Sequence, residues 1–328
     1  MECLAKESPW TVTDLDRLKV GLPQLLVALI SLFANVALLR VLVLHPNWLH
    51  SSFRWHVISL TVASVGFVLV ALLVFTPIVL FDIRIEDPYL IVLSTPDSLF
   101  YQVIMFATTS IAVERCSLFI FPKFHFLLSG QLRVLPVILP WMASVFVVCH
   151  STFLGCYKRV DPFALRYTYN CSSCNFYGDF LFLASIIFPL IISISYLMLF
   201  VFLYFSSRSL KDGHVPVTVT QRYQVLFAVH FSVIALCQLL ASSSFYLLPV
   251  LLGNNIWTHS LLTVCSTFNS MANPLVMFCF QSTAREALIR MTRNRFLPLE
   301  QQETSCDGKN IKSGRRISQM HMIEMPLS

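Results

Sequence analysis

Glu114 and Arg115 stand side by side in SIAVERCSLFIFP (Ser110–Pro122), after a run from Ser98 to Val113 without one charged residue. Leu118, Phe119, Ile120 and Phe121 then restore the apolar run. An acid beside a base at the edge of an apolar phase can do electrostatic work of two kinds. It can anchor a helix at a membrane interface, or it can form a contact that opens and closes. A charge at bilayer centre costs about 2.5–3.5 kcal/mol on insertion scales, and far less at the interface. Covalent chemistry has no comparable support. No His-Glu-x-x-His, Gly-x-Ser-x-Gly or glycine-rich phosphate loop occurs, and the chain holds only 9 glycines. The chain is therefore read as a non-enzyme, with no metal, cofactor or nucleic-acid partner expected.

The elements that position this pair must be membrane helices. Of 328 residues, 12% are Asp, Glu, Lys or Arg and 56% are hydrophobic, against about 25% charged in ordinary soluble domains. Mean hydropathy is +0.71. A helix needs roughly 20 apolar residues to cross a bilayer, and lipid leaves its backbone no other partners. Apolar runs place spans at Val20–Leu44, His56–Phe81, a third ending at Val113, Val134–Phe153 and Phe180–Phe205. Ser98–Val113 is short, so the third span reaches back into YLIVLSTP, with Pro96 as a candidate kink. From Tyr223 to Ala284 no Asp, Glu, Lys or Arg occurs. The turn-forming residues of PVLLGNNIWTH divide that run into Val225–Leu248 and Thr258–Phe280. The reading is an all-α membrane protein, a seven-transmembrane helix bundle over 20–280, with a short amphipathic helix after the seventh span.

Charge placement orients it. The N-terminal segment 1–19 and the loops after spans two, four and six sum to −3, whereas the opposite loops and the tail sum to +9. Positive loops face the cytoplasm, which puts the N-terminus outside and the C-terminus inside. Cys3, Cys156, Cys171 and Cys174 fall on the outer, oxidising side, where one or two disulfides are expected. The spacing leaves their pairing open; a metal-binding Cys171-x-x-Cys174 is the alternative, with no second ligand pair following. Asn170 heads a glycosylation sequon on the same side.

The motifs on these spans carry a resemblance. AVERCSLFIFP resembles the Asp/Glu-Arg-Tyr signature of rhodopsin-like G-protein-coupled receptors, with Glu114 as the acid, Arg115 as the arginine and Cys116 in place of Tyr. Asn273 and Pro274 match the Asn-Pro-x-x-Tyr motif, with Met277 where Tyr is expected. Asn35, Trp141 and Pro189 match single landmarks of the first, fourth and fifth helices. The resemblance implies a switch. At rest Arg115 pairs with Glu114; on activation the inner end of helix six swings away and Arg115 helps form a pocket for a heterotrimeric G protein. Departures mark a divergent branch. Ser64 replaces the acid of the family's sodium site, no Cys precedes the third span to form the usual loop disulfide, and helix six lacks Cys-Trp-x-Pro. The chain looks most like nematode serpentine chemosensory receptors in the plasma membrane.

By position in that family the ligand is lined by Tyr101, Gln102, Met105, Ser185, Gln238, Thr263 and Thr267, each of which also suits plain packing. Asp97, eighteen residues before Arg115, resembles the acid that binds ligand ammonium in amine receptors. STPDS also reads as a helix start, which makes Asp97 an N-cap or first-turn acid. With little buried charge, the expected ligand is small and mostly neutral, an odorant or a lipid-like signal. After the seventh span, 281–297 forms a helix whose stripe Phe280, Ala284, Leu288 and Met291 suits the inner leaflet. From 298 to 328 the tail is polar and reads as disordered, and RRIS makes Ser318 a candidate phosphorylation site. The rival to a receptor is a polytopic transporter or channel. Such proteins usually carry intramembrane charges, which the interiors of these spans lack except for histidines such as His230.

Overall fold

The computed structural model describes residues 3–4, 12–44, 51–120, 134–212, 232–234, 236–241, 243–244, 248, 251–253 and 255–296. His230, Pro122, Ser318, the tail 298–328 and most of Val225–Leu248 lie outside these described residues. The helices are α1 (Asp14–Leu44), α2 (Ser51–Val70, a π-helical turn Ala71–Phe75, then Thr76–Phe81), α3 (Asp87–Ile120) and α4 (Leu135–Phe153). A hairpin of β1 (Arg159–Asp161) and β2 (Arg166–Thr168) follows, then α5 (Asn175–Asp212), α6 (Ser232–Ala241), α7 (Ile256–Phe280) and α8 (Ser282–Phe296). Among the described residues six helices are long and apolar enough to cross a bilayer, and α6 is a shorter apolar helix where the sixth span is expected. This is a seven-span bundle.

Helix α3 packs against α2, α4 and α5, while α1 packs against α2 and α7. The core between them is built from Leu38, Val57, Leu60, Val103, Ile111, Ile192 and Met277, all buried. Phe33, Leu73, Phe146 and Leu197 point outward, each more than 60% exposed, as suits helices solvated by lipid rather than water. Gly66 sets how near two of these helices come. A Cβ there would sit 2.4 Å from the ring of Phe100, so α2 and α3 approach closely only because Gly66 has no side chain.

Two local features have clear causes. Pro77 cannot donate a backbone hydrogen bond, so the helix must bridge its place. It does so with the π turn, where the Thr76 hydroxyl and amide both bond the Ala71 carbonyl, the hydroxyl at 2.8 Å. At the end of α2, Asp82 takes a left-handed conformation (φ 49°) and its carboxylate receives Arg17 at 2.7 Å. Arg17 also donates to the Val79 carbonyl at 3.3 Å, capping the negative end of the helix.

Helix ends extend beyond the apolar runs. The third span begins at Asp87 and ends at Ile120, so Pro96 and Asp97 lie inside it. Asp97 is therefore not an N-cap, which corrects the helix-start reading; Asp87 is the first-turn acid instead. The chain divides into two compact units at Arg285. Within α8 the one described ion pair is Glu286 to Arg290 at 3.6 Å, one turn apart.

Candidate functional site

The C-terminal end of α3 holds the acid and base. Phe53 and His56 are three residues apart on α2 and so share a face. Arg115 lies over the Phe53 ring, its guanidinium carbon 4.0 Å from the centroid. The Glu114 carboxylate sits 3.6 Å from Nδ1 of His56, which is 2% exposed. Both members of the pair thus meet the same short stretch of α2. The Ser117 hydroxyl donates to the Glu114 carbonyl at 2.8 Å and stays within its own helix. Glu114 and Arg115 stand out in the sequence by charge; Phe53 and His56 do not, and only their three-residue spacing on a helix links them.

A polar seam runs along α1 and α7 toward Asn273. Gln24 donates to the Thr267 hydroxyl at 2.6 Å, and the Ser31 and Ser270 hydroxyls meet at 2.8 Å. Asn35 donates to the Ser31 carbonyl at 2.9 Å and to the Ser270 carbonyl at 3.1 Å. Asn273 reaches the Thr61 hydroxyl on α2 at 3.5 Å, and Pro274 beside it is buried. Buried polar groups need partners, so this seam fixes how α1, α2 and α7 register. Trp141 finds its partner in the Ser59 hydroxyl at 2.8 Å. Ser64 bonds the Leu60 carbonyl of its own helix at 2.9 Å.

The expected ligand-lining residues make the following contacts among the described residues. Gln238 donates to the Met105 sulfur at 2.6 Å and links α6 to α3. Thr267 faces α1 through Gln24, and Thr263 bonds the His259 carbonyl of its own helix at 2.8 Å. Tyr101 packs beside Phe67, ring centroids 6.4 Å apart. Ser185 is half-buried on α5. Gln102 lines an outer crevice with Ser98, Val148, Thr152, Tyr157 and Lys158. Its volume, about 20 Å³, has room for about one water, against roughly 300–1,000 Å³ for ligand pockets in general.

At the opposite end of the bundle the hairpin packs on α3 and α7. Asp97 is fully buried and paired with the Lys158 ammonium. The same ammonium lies 4.3 Å from the centre of the Tyr167 ring, which stacks on Phe75 at 4.9 Å. Burial, reinforced by the Asp97 carboxylate, holds the Tyr167 phenol well above its ordinary range. Arg159 pairs with Asp87 at 3.1 Å, and Arg166 meets Nε2 of His259 at 2.8 Å. Asp161 accepts the amides of Phe163 and Ala164 at 2.9 and 3.1 Å, tightening the hairpin turn. Burial still pushes its carboxyl above the usual range, against those amides and the nearby arginines. Leu165 sits in the left-handed region (φ 52°), a strain of about 1–2 kcal/mol for an L-residue. Its side chain is fully buried in compensation.

All four outer cysteines are used. Cys3 joins Cys171 and Cys156 joins Cys174, so the expected disulfides form and Cys171-x-x-Cys174 is not a metal ligand pair. The first ties the N-terminal segment to the loop, and the second closes the loop on itself. Asn170, the head of the sequon, is exposed.

Comparison with known proteins adds the family. The model for the serpentine type seven-transmembrane G-protein-coupled receptor chemoreceptors, Srx, matches residues 25–281. Among solved structures, the crystal structure of squid rhodopsin aligns over 93% of this chain and 88% of its own, with TM-score 0.72 and 13% identity. That likeness establishes a shared fold. No curated protein matches the chain.

Proposed function

Since the chain belongs to the Srx family of serpentine chemoreceptors, we propose that it is a plasma-membrane receptor coupling a small extracellular ligand to a heterotrimeric G protein. The N-terminus lies outside and the C-terminus inside, as the −3 and +9 loop charges support. Asn170 carries a glycan on the outer loop. Helix α8 lies along the inner leaflet with its arginines toward headgroups, and Ser318 in the tail takes phosphate.

The observation that carries this reading is the inner end of α3, where Glu114 and Arg115 are held by α2 rather than spent on a lipid interface. Such a contact can exist in two arrangements, and a ligand that favours one shifts the population. The other arrangement has the inner end of helix six moved outward, Arg115 turned to a G-protein helix, and Asn273 and Pro274 accommodating the change in α7. At the outer half, ligand binding opens the space beside Gln102 and draws on Asp97, Tyr101, Met105, Ser185, Gln238, Thr263 and Thr267. With Asp97 neutralised by Lys158, a small neutral ligand, odorant or lipid-like, fits better than an amine.

The test is a panel of volatile and lipid-like compounds on cells expressing the chain, read as second messenger and as solute uptake in parallel. A compound that raises second messenger without solute movement supports receptor function. Solute movement with no second-messenger response assigns the chain to transport instead. Among active compounds, Gln238→Ala and Tyr101→Ala should lower potency; unchanged potency for every compound removes those residues from the binding site.

A further inference from the structure

We infer that Phe53 is the resting seat of Arg115, and that Phe53 with His56 forms a clasp on α2 that holds the receptor in its uncoupled state. The inference rests on the coupling role proposed for Arg115 and adds the residues that restrain it. Arg115 needs a partner that can release it. An ion pair with the neighbouring Glu114 moves with the same helix, so it registers no motion between helices. Phe53 belongs to α2, is 3% exposed, and offers the ring face at 4.0 Å. A guanidinium over an aromatic face is attracted by the ring quadrupole, most strongly where water is excluded.

His56 completes the clasp from the same face of α2. Its Nδ1 lies 3.6 Å from the Glu114 carboxylate, so the acid faces α2. Arg115 and Glu114 are consecutive, so each contact helps hold the other: with Glu114 turned to His56, Arg115 is aimed at Phe53. Two contacts between one pair of helices act as a single catch. Separation of the inner ends of α2 and α3 breaks both, and a rotation of α3 alone breaks both as well. Both residues are positioning residues, acting through Arg115 and Glu114.

The clasp is tested in full-length receptor in lipid nanodiscs, by two readouts. The first needs no G protein: with isotope-labelled arginine, the Arg115 side-chain resonance, identified by its loss in Arg115→Lys, should be shifted upfield by the Phe53 ring. Phe53→Leu, which keeps an apolar side chain, should remove that shift, and Phe53→Tyr should retain it. The second is ligand-free nucleotide exchange on a set of purified heterotrimers. Loss of the clasp is expected to raise exchange roughly tenfold in Phe53→Leu, with a smaller rise in His56→Ala, and rescue in Phe53→Tyr and His56→Asn. An unshifted Arg115 resonance overturns the clasp. A shifted resonance with exchange unchanged in Phe53→Leu leaves it a packing contact and overturns its restraining role. If no heterotrimer responds to wild type or to Phe53→Leu while the shift is present, the coupling role itself fails, a result distinct from the other two.

Discussion

The two ends of the bundle are held by different forces. At the outer end the hairpin is fastened to α3 by Lys158–Asp97 and Arg159–Asp87, to α7 by Arg166 and His259, and to the N-terminal segment by Cys3–Cys171. At the inner end, among the described residues, Arg115 rests on a ring and Glu114 meets a histidine at 3.6 Å. Covalent links hold through any motion short of their own cleavage, while a ring contact and a 3.6 Å approach to a histidine part with a shift between helices. The difference is one of bond type: the hairpin end is braced by disulfides and ion pairs, and the end that holds Glu114 and Arg115 is latched to α2 by a ring contact and a histidine.

The largest break in this comparison should come from Asp97→Ala. It leaves the Lys158 ammonium buried without its carboxylate, a loss of about 3–5 kcal/mol. Thermal unfolding in detergent should fall accordingly, and Asp97→Leu with Lys158→Met should recover most of it; an unchanged midpoint in the single variant would mean the pair is not a brace. Next, Cys156→Ser with Cys174→Ser removes an 18-residue closure, worth about 3 kcal/mol by chain entropy. The outer loop should then be cut faster by protease, while cleavage elsewhere stays as in wild type. Smaller still, Trp141→Phe forfeits the bond to Ser59 and should lower stability by about 1 kcal/mol, with no change in loop cleavage. A drop several times larger would place Trp141 in the brace.

The smallest effect at neutral pH belongs to Tyr167. Its folded pKa is raised above the ordinary value of 10.0, so folding favours the neutral phenol. That stability is complete below pH 10 and is lost as pH rises from there toward the folded value. Loop cleavage should therefore increase in alkali for wild type, and the increase should shrink in Tyr167→Phe. Equal pH profiles for both would remove Tyr167 from the brace.

Much of the fold was legible because each span is a long apolar run bounded by charge or by turn residues. The seven-span bundle, the outer loop and the set of disulfide cysteines follow from that pattern. Other features were not legible because they depend on partners far along the chain. Asp97 reads as a helix cap from STPDS, and only the 61-residue reach to Lys158 turns it into a buried ion pair. Pro77 sits within the apolar run His56–Phe81 without interrupting it, yet the helix passes it through the π turn. At the site, Glu114 and Arg115 stood out by charge. Phe53 and His56 did not, since one phenylalanine among 28 carries no signal of its own. The lining positions carried over from the family lie on four helices, and the bonds of Thr267 and Gln238 tie helices together.

The latched inner mouth is tested most directly by nucleotide exchange on heterotrimers with wild type and Arg115→Ala in nanodiscs at matched amounts. Exchange catalysed by wild type and abolished in Arg115→Ala is expected. Equal exchange from both would contradict a transducer role for Arg115 and leave the pair a packing contact with α2.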